Sequence, residues 1–121
     1  MSEGSKLGLV EAKLGIIPGA GGTQRIARLV GAARAKELIF TARRLSANDA
    51  RELGLVEYAV DAGGAFAKAM ELAQEIQTQA PLSLRLAKVA VNRGSEVDLA
   101  TGMAIEQACY AQVGDIPLIL G

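Results

Sequence analysis

The chain has 121 residues, of which half are apolar, and its 13 basic residues balance its 13 acidic ones. A chain of this length is expected to form one domain with a buried core. The balanced charge argues against a nucleic-acid binder, which normally carries a basic excess. Histidine is absent and cysteine occurs once, so Ser-His-Asp and Cys-His catalytic sites, histidine-containing zinc sites and internal disulfides are excluded within these residues. Acid–base chemistry therefore falls to carboxylates, Lys, Tyr or backbone groups.

The chain opens with a pattern that differs from the rest. Residues 7–17 alternate loosely between apolar and polar side chains, and three glycines within four residues after Pro18 predict a tight loop. A helix over 24–30 follows, with Thr23 as its predicted N-cap and Gly31 as its end.

The remaining residues show the periodicity of helices. Predicted helices run over 32–41, 47–53, 65–79, 81–93 and 97–112. Ser46 and Asp49 have the spacing of a capping box, and Pro81 fits the first turn of a helix. The apolar residues 55–60 are compatible with a short strand. The sequence thus predicts a mainly α protein with a few short strands.

Apolar stripes on the predicted helices are expected to pack in the core. On the helix over 32–41 the stripe consists of Ala35, Leu38 and Ile39. On the helix over 65–79 it consists of Phe66, Met70, Ala73 and Ile76. On the last helix it consists of Ala100, Met103, Ala104, Gln107 and Ala108. Cys109 lies in the last apolar pattern and is predicted to be a buried structural thiol, since no histidine could activate it.

A candidate site surrounds the glycine-rich loop. Glu11 precedes it by an apolar stretch, and a carboxylate held beside apolar groups is suited to proton transfer. Gly19 permits close approach of a ligand to its backbone N–H, and the helix after Gly22 begins with its positive end near the loop. This combination suits water addition or proton transfer next to a carbonyl, although a glycine-rich loop before a helix is more often only a turn and cap. Neither the G-x-G-x-x-G pattern of dinucleotide sites nor a Walker P-loop is present.

The stretch that contains these residues resembles a known family. It reads GLVEAKLGIIPGAGGTQRIARLVG, and it is similar to the crotonase (enoyl-CoA hydratase/isomerase) signature around the second catalytic glutamate. The likeness continues through AKELIFTARRLSANDARELGLVEYAV, APLSLRLAKVAVNRG and EVDLATGMAIEQACYAQ, so it covers residues 7–112. The last block is most similar to the branch of the methylglutaconyl-CoA hydratases.

The resemblance implies roles for individual residues. Glu11 matches the glutamate that protonates the α-carbon of the substrate, and Gly19 matches the glycine whose backbone N–H holds the attacking water. The loop residues that line the site would be Pro18, Ala20, Gly21 and Gly22. Gln24 and Arg25 are typical of the family and are interpreted as structural. The substrate would be an acyl-CoA thioester, with no further cofactor and no metal.

The resemblance also implies a place in the fold. The chain would be the C-terminal portion of a crotonase (ClpP/crotonase-like) α/β spiral fold. Residues 1–31 would form the end of the core with the catalytic glutamate, and residues 32–121 a helical, trimerisation-type region. A homo-oligomer, a trimer or hexamer, would be expected.

Departures from the family pattern limit what these residues can do alone. The domain that supplies both oxyanion-hole N–H donors and the other glutamate has no counterpart here, the tail VGDIPLILG differs, and Ala27 replaces a common proline. Negligible hydration by this chain alone is therefore expected. The alternative is a non-catalytic helical oligomerisation remnant or a regulatory isoform of such an enzyme, and an RNA-binding hydratase has weak support.

The sequence shows no targeting or membrane signal. Residues 1–6 lack an apolar leader, and no apolar run reaches the roughly 20 residues that a spanning helix needs. We therefore expect a soluble intracellular protein, in the mitochondrial matrix if the source is eukaryotic and in the cytoplasm if it is bacterial.

Overall fold

A computed structural model describes residues 1–114, and this part of the chain is mostly helical. Its helices are α1 (Gly22–Val30), α2 (Ala32–Thr41), α3 (Ala47–Glu52), α4 (Ala65–Gln77), α5 (Pro81–Gly94) and α6 (Leu99–Gly114), and a short 3₁₀ helix (Glu11–Leu14) precedes them. The mainly α prediction is confirmed. Among the described helices, none combines the length and the apolarity that crossing a membrane requires.

The few short strands that were predicted reduce, within residues 1–114, to two isolated pairs. Leu7 pairs antiparallel with Leu45, and Ser2 pairs parallel with Val60. The predicted strand over 55–60 does not form. Its last residue alone is paired: the Val60 N–H donates to the Met1 carbonyl (3.0 Å) and the Val60 carbonyl accepts from Glu3 N–H (2.7 Å). An apolar extended run becomes a strand only beside a partner of similar length.

Several helix ends follow the predicted local signals. Gly31 terminates α1 and precedes α2, as predicted. The capping box is confirmed, because the Ser46 hydroxyl accepts from the Asp49 N–H (3.2 Å) and the Asp49 carboxylate accepts from the Ser46 N–H (3.0 Å). The prediction that Thr23 caps α1 is wrong. Gly21 is the N-cap, with φ at 91°, so Thr23 lies inside the first turn.

Contacts divide the chain into two compact units, one ending at Met70 and the other beginning at Glu71. In the first unit α2 packs against α1 and against the 3₁₀ helix. Leu38, Leu45 and Ala50 form its buried centre. Ala35 and Leu38 of the predicted inner face of α2 are buried, and Ile39, its third residue, is half-buried.

In the second unit α5 packs against α6. The two helices come close where glycines meet, since a Cβ on Gly102 would lie 3.2 Å from the Gly94 carbonyl oxygen. Leu86 and Cys109 are buried, which confirms the prediction of a buried thiol.

The predicted core stripes of α4 and α6 are wrong for the described chain. Phe66 and Ile76 on α4 are 76% and 54% exposed, and Met103 on α6 is 55% exposed. The other residues of both stripes are exposed too: Met70, Ala73, Ala100, Ala104, Gln107 and Ala108. Periodicity identifies an apolar helix face but does not supply the surface that covers it.

Candidate functional site

Glu11 is the first residue of the 3₁₀ helix. Gly15 ends this helix in the left-handed conformation, with φ at 72°, and the Ile16 N–H donates to the Glu11 carbonyl at 3.3 Å. Because the 3₁₀ helix packs against α2, the backbone of Glu11 is fixed to the first unit.

One carboxylate oxygen of Glu11 has no partner. Its Oε2 is buried and forms no hydrogen bond. Among the described residues, no other buried side-chain nitrogen or oxygen lacks a hydrogen-bond partner. An unsatisfied buried polar group costs about 1–3 kcal/mol, and more when it is charged. Native proteins keep few such groups, and a catalytic role is a common reason for them. Glu11 therefore has one carboxylate oxygen that no hydrogen bond within the described residues occupies.

Three large apolar side chains shortly after Glu11 are exposed. Leu14 is 74% exposed, Ile16 is 59% exposed and Ile17 is 72% exposed. Clustered exposed apolar side chains mark binding surfaces more often than scattered ones do. The surface next to the Glu11 segment is thus suited to contact an apolar group.

The loop after this segment begins with a buried residue, Pro18, which is followed by the exposed residue Gly19. Ala20 is exposed as well. No acceptor within residues 1–114 takes the backbone N–H of Gly19. A Cβ on Gly19 would meet only the Ile17 carbonyl oxygen, at 3.8 Å. The space over Gly19 is therefore open, and its N–H can donate to a water or an anion.

The end of the loop is tightly packed. A Cβ on Gly22 would lie 2.8 Å from the Pro18 Cβ and 3.0 Å from the Leu9 Cδ2. Leu9 thus packs directly against the loop that Pro18 begins, and the segment before Glu11 is in contact with the segment after it.

A positive charge lies beside the start of α1. A Cβ on Gly21 would lie 3.1 Å from the Arg25 Cζ, so this guanidinium covers Gly21. The N–H groups of Gln24 and Arg25 donate to the Gly21 carbonyl, at 3.2 and 2.9 Å. The guanidinium and the positive end of the α1 dipole together favour negative charge near this end of the loop.

The predicted site residues are contiguous in the sequence, over residues 11–22, and within this segment the structure brings Gly22 against Pro18. Two neighbouring residues, Gly8 and Leu9, were not predicted. Gly8 and Leu9 contact other parts of the first unit closely. An isolated glycine in an extended stretch was the available signal, because it often marks a close backbone approach. Within the described residues, no group of three or more His, Cys, Asp or Glu side chains is placed to hold a metal ion.

Comparisons with a family model and with known proteins all match this chain to enoyl-CoA hydratase-type proteins. The family model described as Enoyl-CoA hydratase/isomerase matches residues 1–116. Enoyl-CoA hydratase domain-containing protein 2, mitochondrial, from Mus musculus is 59% identical over 110 residues, which are 88% of this chain and 37% of the mouse protein. Methylglutaconyl-CoA hydratase, mitochondrial, from Rattus norvegicus is 53% identical over 112 residues, which are 89% of this chain and 36% of the rat protein.

A solved structure has the same fold over this length. The enoyl-CoA hydratase from Bacillus anthracis is 49% identical and superposes with a TM-score of 0.91, covering 96% of this chain and 45% of that chain. This chain therefore spans less than half the length of the relatives that it matches.

Proposed function

The chain belongs to the enoyl-CoA hydratase/isomerase family, and on that premise we propose that it forms part of a site that adds water to an α,β-unsaturated acyl-CoA thioester. The observation that carries the proposal is the buried, unpaired Oε2 of Glu11. Glu11 is the proton-transferring carboxylate, and Gly19 supplies a backbone N–H to the attacking water. Pro18, Ala20, Gly21 and Gly22 form the loop that lines the site.

The reaction assigns one proton transfer to Glu11. The water oxygen bonds to the β-carbon, and the electrons of the double bond move toward the thioester carbonyl. Glu11 delivers a proton to the α-carbon, while a second carboxylate outside these residues takes the proton that the water loses. The open space over Gly19 and its free N–H support the placement of a water there.

The substrate is a CoA thioester with an apolar acyl group, and no further cofactor or metal is required. The exposed apolar side chains of Leu14, Ile16 and Ile17 beside Glu11 support this choice. The similarity to a protein named methylglutaconyl-CoA hydratase makes a branched enoyl thioester the second substrate to test. Since several relatives are named mitochondrial, we place a eukaryotic protein of this kind in the mitochondrial matrix and a bacterial one in the cytoplasm.

A non-catalytic role in subunit association is the second candidate. The exposed apolar face of α6 favours it, with Leu99 81% exposed and Tyr110 75% exposed. This role predicts a stable helical protein in which substitution of Glu11 has no functional effect.

The test uses a chimera in which this chain replaces the matching segment of the Bacillus anthracis enoyl-CoA hydratase. Hydration of crotonyl-CoA and methylglutaconyl-CoA is measured for the chimera, for its Glu11→Gln variant and for the 121 residues alone. The chimera is expected to be active, and Glu11→Gln is expected to lower kcat on the order of 10²–10⁴-fold. The 121 residues alone are expected to show negligible turnover, because loss of even one oxyanion donor typically costs about 10²–10³-fold.

Glu52→Gln is the matched control, because Glu52 is an exposed glutamate on α3. It should leave kcat and KM unchanged. An active chimera with an unimpaired Glu11→Gln variant would remove Glu11 from the mechanism and favour the association role. Robust turnover by the 121 residues alone would contradict the need for donors outside them.

A further inference from the structure

Three residues shortly before Glu11 hold its backbone to distant parts of the first unit; we call Leu7, Gly8 and Leu9 the brace. Leu7 and Leu45 exchange two backbone hydrogen bonds: the Leu45 N–H donates to the Leu7 carbonyl at 2.7 Å, and the Leu7 N–H donates to the Leu45 carbonyl at 3.1 Å. Leu45 is itself 1% exposed and lies in the buried centre of the unit. The first residue of the brace is therefore fixed to the core.

The second residue of the brace has no room for a side chain. A Cβ on Gly8 would lie 2.9 Å from the Arg43 carbonyl oxygen and 3.3 Å from the Arg44 Cα. Both obstacles are backbone atoms, so a rotamer change cannot relieve the contact. Any substitution must push the brace away from Arg43 and Arg44.

The third residue of the brace contacts the candidate site itself. The side chain of Leu9 lies where a Cβ on Gly22 would be only 3.0 Å away. One end of the brace is thus bonded to Leu45 and the other end packs on the loop. Glu11 lies two residues beyond Leu9, at the start of the 3₁₀ helix.

We propose that Gly8 is a positioning residue, which fixes Glu11 against the loop through the brace; this inference rests on the proposed function. The unpaired Oε2 of Glu11 supplies the physical reason. A buried carboxylate oxygen without a partner gains free energy by moving to water or to a donor, so it stays in place only where the surrounding structure prevents that movement. The close approach of Gly8 to the backbone at Arg43 and Arg44 fixes the path of the chain that leads into Glu11 and so restricts that movement.

The expected effect on the reaction is specific. A displacement of about 1 Å can cost on the order of 10²-fold in rate when it moves a catalytic group. In the chimera, Gly8→Ala should therefore lower kcat on the order of 10²-fold and leave KM unchanged, because Gly8 contacts the chain at Arg43 and Arg44 and not the loop that lines the site. In a Glu11→Gln background, Gly8→Ala should cause no further loss.

Gly94→Ala is the control. Gly94 does not require the left-handed conformation, and its added Cβ would make an ordinary contact of 3.6 Å with the Gly102 Cα. This variant should keep the kcat and KM of the chimera. Circular dichroism verifies that each variant is folded before its kinetics are compared.

Leu9→Ala keeps the inference testable if Gly8→Ala does not fold. It removes the side-chain contact with the loop without adding an atom, and it should lower kcat at constant KM in the same Glu11-dependent way. Equal fractional losses with and without Glu11 would show a general structural effect and would overturn the inference. Normal kcat in folded Gly8→Ala, or in Leu9→Ala where Gly8→Ala does not fold, would overturn it too. If Glu11→Gln itself is impaired, either of these results overturns the role of Gly8 but leaves the proposed function intact. An unimpaired Glu11→Gln variant overturns the role of Gly8 and the proposed function together.

Discussion

Two glycines of the loop differ in the space around their α-carbons. A Cβ on Gly22 would lie 2.8 Å from the Pro18 Cβ and 3.0 Å from the Leu9 Cδ2, whereas a Cβ on Gly19 would meet one atom at 3.8 Å. Neither glycine has a positive φ. The two positions therefore differ in the steric contacts that an added Cβ would make, and not in backbone strain.

Alanine substitution at these two glycines should change the free energy of unfolding by different amounts. Gly22→Ala overpacks the contact with Pro18 and Leu9 and should destabilise the protein by about 1–3 kcal/mol. Gly19→Ala should change stability by no more than about 0.5 kcal/mol, since the position is open. Urea unfolding of the two variants measures both values. A Gly22→Ala protein as stable as the parent would show that Pro18 and Leu9 do not pack tightly against Gly22.

At the scale of elements, α3 and α6 each have an aspartate at their start that accepts two hydrogen bonds, Asp49 inside the first turn of α3 and Asp98 just before α6. The hydroxyl and N–H of Ser46 hold the pKa of Asp49 below its ordinary value of 3.8. The hydroxyl and N–H of Thr101 do the same for Asp98, the residue before α6. Both carboxylates are exposed, yet each accepts two hydrogen bonds in its charged form. Each helix start is thus stabilised by an ionised aspartate.

The two aspartates should make the helices sensitive to acid. A carboxylate whose pKa is lowered by folding stabilises the folded state above its unfolded pKa, and that contribution is lost as the pH falls through the folded pKa. The free energy of unfolding should therefore decrease below pH 3.8. Asp98→Asn keeps an acceptor but does not titrate, so it should reduce this decrease. Urea unfolding at neutral and acidic pH provides the comparison, and an unchanged pH dependence in Asp98→Asn would exclude Asp98 as a cause.

At the scale of the whole molecule, large apolar side chains remain exposed in both units. Phe40 and Phe66 are 74% and 76% exposed in the first unit, and Leu99 and Tyr110 are 81% and 75% exposed in the second. The helix α6 has apolar residues on all sides, with Glu106 as its charged residue. A helix of this composition is normally covered on all sides.

Exposed apolar surface of this kind should cause self-association. We expect light scattering of the 121-residue protein to show an average mass that rises with concentration. Tyr110→Lys should reduce the association, because it replaces an exposed aromatic ring on α6 with a charge. Gln107→Lys adds the same charge at an exposed polar position of α6 and should have little effect. A constant monomer mass at high concentration would contradict the expectation.

Local signals in the sequence determined the helices, their main boundaries and the family. Gly31 ends α1, Ser46 and Asp49 cap α3, and Pro81 begins α5 because each acts on backbone groups within four residues. The segment from Glu11 to Gly22 could be identified for the same reason, since its motif is continuous in the sequence.

Only the tertiary structure decided which apolar faces are buried and where the site is anchored. Gly8 approaches Arg43, and Leu7 pairs with Leu45, across more than thirty residues of intervening chain, so no local pattern predicts either contact. The buried, unpaired oxygen of Glu11 is likewise a feature that only the tertiary structure shows. A sequence pattern states which side chains prefer to be buried, but burial requires a second surface, and its position is set by the whole fold.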